Sequence, residues 1–321
     1  MLLTQTSPTA PRSPLPKGEG QGRGRLTDKP KFEISERNPT MTDFSRYLIV
    51  TDLDGTFFGK GARLVEANLQ AIERFKAGGG HITAGTGRIP TNIRKGIPAC
   101  GELFNAPAIT ANGAFIYDLT ADVCLKSTPM DPEATLAAAR LVESLNPKVG
   151  MRVSTGKSFL VNRDRLNPAI LRDIGGNPDT YAGDVLPLSA WKTEGAQWYK
   201  MVFRGEYEDL LLVRPAVEAA FGDIFEYSMS SPRFFELQKR GCTKATGLRF
   251  VAERLSEVLG HSITTVAVGD QENDLPMLMA ADIAACPANA VESVKAVCAL
   301  HLCDHDEGCI ADLIGRLADQ K

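Results

Sequence analysis

Apolar residues first become periodic along this chain just after Met41. Tyr47-Leu48-Ile49-Val50-Thr51 is a continuous apolar, β-branched run, the pattern of a strand buried on both faces of a parallel sheet. Leu64, Ala67, Ala71, Ile72 and Phe75 then recur at helical spacing, with Glu66, Gln70, Glu73 and Arg74 between them, and Gly78-Gly79-Gly80 ends that helix. His81-Ile82-Thr83-Ala84 reads as a second strand. A strand, a helix and a strand joined by short links predict a right-handed parallel unit whose strand tips lie side by side. Residues 107–110 read as a third strand, Asn112-Gly113-Ala114 as a turn, and Phe115-Ile116-Tyr117 as the start of another strand.

From about residue 121 to 237 the pattern changes. A helix over 132–145 is followed by strand-like spacing over 151–161 and a loop-rich, Pro-containing region. A strand over 198–203, an amphipathic helix over 207–220 and strands near 225–229 and 233–237 come next. Alternating strands with helices grouped between them predict an α+β module with an antiparallel sheet. The strand–helix alternation then resumes, with a helix over 245–259, a strand over 264–268, a helix from Leu275, a strand ending at Cys286, a helix from Val291 and a closing helix over 310–317. The fold class is therefore α/β: a Rossmann-like, doubly wound parallel sheet core over 44–120 and 239–321, with an α+β module inserted over 121–238.

Composition bounds the rest. The 321 residues suggest about two domains. Residues 1–43 are dominated by Pro, Ser, Gly, Thr and basic residues and cannot bury enough surface to offset their ordering entropy, so they read as a disordered tail or a mis-called start with Met41 as the true one. They lack the apolar core of a secretory signal, and their Pro and Gly content opposes a transit helix. A formal net charge of −3 gives no argument for nucleic acid, and no apolar run is long enough to span a bilayer. Seven scattered Cys read as reduced thiols in a cytoplasmic protein. His301, Cys303, His305 and Cys309 lie close together but lack the paired spacing of structural zinc sites; they fit a short strand running into a loop.

The chemistry concentrates at strand ends. The first strand ends in Asp52-Leu53-Asp54-Gly55-Thr56, which delivers two carboxylates to the carboxyl edge of the sheet, where open α/β folds bind ligands. Asp52 can attack a substrate or hold a metal, and Asp54 can serve as acid or base. The second strand runs into Gly85-Thr86-Gly87-Arg88, where a hydroxyl and backbone N–H groups can meet a phosphate. Lys244 opens the 245–259 helix. The 264–268 strand runs into Gly269-Asp270-Gln271-Glu272-Asn273-Asp274, with Pro276 in the first turn of the next helix.

These four segments, in this order, resemble the four signatures of the haloacid dehalogenase superfamily, and the resemblance spans residues 47–317. The 111–114 segment and the large insertion resemble the Cof-type phosphatases of subclass IIB, in which the inserted module is a cap. Ala245 departs from the pattern, which usually has Gly after the lysine. The resemblance implies a magnesium-dependent phosphatase: Asp52 forms an aspartyl-phosphate and Asp54 is the general acid and base. Thr86, Gly87, Lys244 and Asn273 contact phosphate. Asp52, Asp270 and the backbone carbonyl of Asp54 bind Mg2+, Asp274 orients Lys244, and Glu272 is a bystander. The implied partner is a small phosphorylated metabolite, with sugar phosphates foremost and nucleotides, phosphorylated cofactors and phosphoglycerate esters open, and neither nucleic acid nor membrane. A phosphomutase and a non-catalytic phosphometabolite-binding protein are the alternatives. Oligomeric state is open, a monomer being compatible with the sequence. Arg152, Lys157, Arg163 and Lys200 are the inserted module's candidates for facing the substrate.

Overall fold

The structure, a computed structural model, describes residues 42–319. The expectations for the N-terminal tail and for a start at Met41 lie outside the described residues.

Five strands form a parallel sheet in the order Leu300–His301, Ile283–Cys286, Thr264–Val268, Tyr47–Thr51, His81–Ala84. Alternate residues of the central strand feed opposite layers. Ile49 packs with Ile72, Phe75, Ile310 and Leu313 on one side. Leu48 and Val50 pack with Leu248, Val251 and Met277 on the other. Helices Glu66–Ala77 and Cys309–Asp319 cover the first face, and Lys244–Leu259 and Leu275–Ala280 cover the second, which is why the strand needed to be apolar throughout. A single parallel bridge, Gly85 to Ile109, carries the order on to Ala108–Thr110. That strand pairs antiparallel with Phe115–Asp118, which pairs with Val123–Ser127.

The register of the central strands positions the site. Thr51 lies opposite Val268 on one side and Ala84 on the other. Asp52, Asp270 and Thr86 therefore leave the sheet at the same edge.

A second sheet has six strands in the order Asp184–Leu186, Phe159–Asn162, Gly150–Ser154, Lys200–Arg204, Phe234–Lys239, Phe225–Ser231. It is antiparallel except for its edge strand Asp184–Leu186, which runs parallel to Phe159–Asn162. One face, with Met151, Val153, Met201, Phe203, Phe235 and Leu237, packs under helices Pro132–Leu145 and Tyr207–Phe221. The period of two puts Arg152, Lys200, Arg204, Glu236 and Gln238 on the opposite, polar face. Among the described residues no helix is long and apolar enough to cross a membrane.

Several local expectations change. A hairpin, Phe58–Gly59 with Arg63–Leu64, interrupts the link after the first strand, so Leu64 lies outside the helix. Ala67 is exposed and Asn68 is buried in its place. The Asn68 amide is satisfied there, with Nδ2 donating to Phe57 O at 3.4 Å and Oδ1 accepting from Ala311 N at 3.0 Å. The strand-like stretch over 151–161 divides at a turn through Gly156, whose φ is +89°.

Candidate active site

Asp52 is buried at the tip of the central strand, held by its own N–H donating to Val268 O at 2.8 Å. Its Oδ1 accepts from Lys244 Nζ at 2.7 Å, and the same ammonium donates to Asp274 Oδ1 at 2.6 Å. Lys244 reaches this point from the first turn of Lys244–Leu259, whose start is fixed by a capping box between Thr243 and Thr246. The second oxygen of Asp274 accepts from the backbone N–H groups of Asp270 and Gln271, at 3.0 and 3.1 Å. Asp274 thus fixes both the lysine and the turn that carries Asp270.

Asp270 is aimed by two further contacts. Thr56 Oγ1 donates to its Oδ1 at 2.8 Å, and Gln271 Nε2 donates to its Oδ2 at 3.3 Å. Gly55 makes the approach possible. Its φ is +83°, and a Cβ there would lie 2.5 Å from Asp270 Oδ2. Oxygens of Asp52, Asp270 and Asp274 lie within 4.8 Å of one another.

Three buried carboxylates face one ammonium, so two negative charges lack a partner in the cluster. Burial pushes Asp52 well above the usual carboxylate range; Lys244 opposes this, while Asp274 and Asp270 reinforce it. Burial and Asp274 push Asp270 up to about 6, against Thr56 and Lys244. Burial alone would lower Lys244, but Asp274 and Asp52 outweigh it and hold the ammonium charged. Oxygen donors with uncompensated negative charge fit a hard divalent cation. Asp52 and Asp270 are the residues that could hold it, since Asp274 already spends one oxygen on Lys244 and the other on two backbone donors.

Asp54 lies elsewhere in charge terms. Its side chain is 60% exposed and forms a bidentate pair with Arg88, Nε to Oδ2 at 2.8 Å and Nη2 to Oδ1 at 2.5 Å. Thr86 is buried, and its Oγ1 accepts from Arg88 N at 3.2 Å, leaving its own hydrogen to donate. A cavity of about 470 Å3 opens over these groups; Asp52, Asp54, Thr86, Gly87, Asp270 and Asn273 line it. Lys244 and Asp274 sit beneath, in contact with Asp52 or its partner lysine. Glu272 points to solvent. All eight site residues expected from the sequence therefore converge on one edge of the sheet.

Of the candidates from the inserted segment, Arg152 and Lys200 line this cavity. Lys157 lines a separate depression, and Arg163 pairs with Asp179 in solvent. Sequence reasoning did not find the remaining polar groups. Thr56 and Gln271 lie inside the segments that carry Asp54 and Asp270, where no spacing marks a hydroxyl or an amide as a partner of the Asp270 carboxylate. Lys200 Nζ donates to Glu236 Oε1 at 2.9 Å, and Asn112 Nδ2 donates to Glu236 Oε2 at 2.7 Å. This buried network joins the turn after Ala108–Thr110 to the six-stranded sheet. No local pattern predicts it, because its members are up to 124 residues apart.

Known proteins bear on this geometry. A curated HMP-PP phosphatase of Citrobacter koseri is 27% identical over 233 residues, covering 72% of this chain and 80% of the relative. A 5-amino-6-(5-phospho-D-ribitylamino)uracil phosphatase of Bacillus subtilis is 26% identical over 258 residues, covering 78% of this chain and 90% of the relative. A solved subclass IIB sugar phosphatase of the haloacid dehalogenase superfamily superposes with a TM-score of 0.68 at 21% identity, covering 84% of this chain and 98% of that one, a likeness of fold. The family model for haloacid dehalogenase-like hydrolases matches residues 49–314. With that match spanning both the parallel sheet and the inserted sheet, the chain belongs to the haloacid dehalogenase-like hydrolase family.

Proposed function

We propose that the protein is a magnesium-dependent phosphatase of small phosphorylated metabolites that works through an aspartyl-phosphate on Asp52. The observation that carries this is the placement of Asp52: buried, tethered by one oxygen to Lys244, and on the wall of the cavity beside Asp270. A carboxylate so held is pre-positioned for in-line attack on phosphorus. Asp52, Asp270 and the backbone carbonyl of Asp54 would hold Mg2+, which supplies charge neutralisation for an anionic nucleophile and an anionic substrate.

The protein's own groups do the rest. Thr86 Oγ1, the Gly87 backbone, Asn273 and the Lys244 ammonium bind the non-bridging oxygens. Asp52 attacks, the bond from phosphorus to the leaving oxygen breaks, and Asp54 gives that oxygen its proton. The Asp54 carboxylate then takes a proton from water, the hydroxide attacks phosphorus, and Asp52 leaves as a free carboxylate with release of inorganic phosphate. Asp54 is held by Arg88 in this structure; movement of Arg88 toward the substrate phosphate would free the carboxyl for both transfers. We propose residues 121–238 as a cap that excludes water and reads the leaving group, with Val123–Ser127 as its stalk. The relatives' printed activities, on HMP-PP and on 5-amino-6-(5-phospho-D-ribitylamino)uracil, support a small phosphorylated metabolite as the substrate. The cysteines are free thiols, which supports a reducing, cytoplasmic setting.

The test is phosphate release from a panel of phosphorylated metabolites with and without magnesium, with Asp52→Asn alongside. Magnesium-dependent release that disappears in the variant supports the proposal. Near-normal release by Asp52→Asn overturns it.

A further inference from the structure

The polar face of the six-stranded sheet lines the same cavity as Asp52, and its cations differ in how they are paired. Lys200 is neutralised by Glu236, whose other oxygen takes Asn112. Arg88, which also lines the cavity, is neutralised by Asp54. Arg152 and Arg204 share one carboxylate, Asp173. Arg204 holds both oxygens of Asp173, with Nε to Oδ2 at 3.0 Å and Nη2 to Oδ1 at 2.7 Å. Arg152 gives only Nε, to Oδ2 at 2.9 Å. Two guanidinium groups on one carboxylate leave one positive charge.

That charge is delivered to the cavity by Arg152, which lines it, whereas Arg204 and Asp173 lie behind. The Arg152 side chain is only 13% exposed. Its guanidinium lies 4.0 Å from the ring centroid of Phe159, also a lining residue, so stacking and the Asp173 bond together fix its plane. Among the described residues its two terminal amino groups donate to no partner. A rigid, partly desolvated guanidinium with free terminal N–H groups fits a two-oxygen anion bidentately.

The geometry points to Arg152 as a specificity-determining residue that binds a second anionic group, a carboxylate or phosphate, on the leaving-group part of the substrate. This rests on the proposed phosphatase reading. On that reading the phosphoryl group under attack meets Asp52, Thr86 and Gly87, and Arg152, which is bonded to Asp173 and to none of these, takes a separate anion. The substrate class is then a phosphate ester of an acid, or a metabolite with two phosphates, rather than an ester of a neutral polyol.

The experiment uses the full chain and matched ester pairs differing by one anionic group: glycerol phosphate against phosphoglycerate, and hexose monophosphates against hexose bisphosphates. The charged member is expected to be preferred by about tenfold or more in kcat/KM, mainly through KM. Which pair shows the preference distinguishes carboxylate from phosphate. Arg152→Met removes the preference, and Arg152→Lys, which keeps the charge without the fork, retains part of it. Arg163→Gln, outside the cavity, leaves the ratio unchanged. Titration calorimetry of the same pairs on Asp52→Asn with magnesium reads the preference without turnover. Failure of phosphate release from every ester overturns the phosphatase reading but leaves the calorimetric preference to judge Arg152. Equal kcat/KM and equal affinities within both pairs in proteins carrying Arg152, or an unchanged preference in Arg152→Met, overturn its assignment. If Arg152→Met does not fold, the preference with Arg152 present and its partial loss in Arg152→Lys still decide.

Discussion

Lys244→Met is the substitution that most exposes the electrostatics of the site. The lysine is fully buried and, among the described residues, is the one cation bonded to both Asp52 and Asp274. Methionine nearly matches its length, so packing changes little and charge changes most. Breaking a buried pair by removing one partner costs roughly 3–5 kcal/mol, because the other charge is left uncompensated. Two such carboxylates, with Asp270 beside them, place the loss at the upper part of that range near neutral pH. The loss depends on pH in a definite direction. Asp52 and Asp270 already sit above the usual carboxylate range, Asp270 at about 6, and removing the ammonium raises them further. At about pH 5 these groups are protonated in the variant and little repulsion remains. Thermal melts in the absence of divalent cations, at about pH 7.5 and about pH 5, should therefore show a large drop in Tm at the higher pH and a much smaller one at the lower. Adding Asp274→Asn to Lys244→Met should recover part of the loss. An equal drop at both pH values, or a double variant whose losses simply add, would mean that the Lys244 ammonium does not balance these carboxylates.

The other predictions concern cation binding and the acid–base residue. Asp270 takes up a proton below about pH 6 in the cation-free protein, so protons compete with magnesium: the concentration giving half-maximal phosphate release should rise as pH falls through about 6. By the same linkage the folded state binds more protons than the unfolded chain between the ordinary carboxylate value and about 6, so this group's contribution to cation-free stability falls as pH rises across that window. The rise in Tm on adding magnesium should accordingly be larger at about pH 7.5 than at about pH 5. Thr56→Val removes the hydroxyl bond that aims Asp270 and should weaken magnesium binding about tenfold, read by calorimetry, with a normal circular dichroism spectrum. Arg88→Gln breaks a partly exposed pair and should change stability by less than about 1 kcal/mol in thermal melts, while kcat changes because the Asp54 carboxyl loses its bidentate partner.

Much of this arrangement was legible in the sequence because its parts are local. Tyr47–Thr51 must be apolar on both faces, and its chain direction alone places Asp52 at the ligand edge. The Gly269–Asp274 stretch likewise encodes its strand end and helix start within a few residues. What escaped is set by tertiary partners. Asn68 occupies a helix position that periodicity gives to Ala67, because its amide bridges Phe57 and Ala311. The hairpin at Phe58–Gly59 and Arg63–Leu64 is too short to show a period. Arg88 could be placed at a strand tip but not paired with Asp54, since that depends on two side chains crossing between strands. Arg152 and Lys200 look alike in sequence; only the positions of Asp173 and Glu236 make one an open guanidinium and the other a closed pair.

The central claim is that phosphorus is transferred to Asp52. The direct measurement is a rapid acid quench of the wild-type protein during turnover of a radiolabelled phosphate ester with a good leaving group, followed by peptide mass spectrometry. A phosphoryl adduct is expected on the peptide containing Asp52, formed at the rate of leaving-group release and absent from Asp52→Asn. Turnover with no protein-bound phosphate at any time, or an adduct on a different residue, would contradict it.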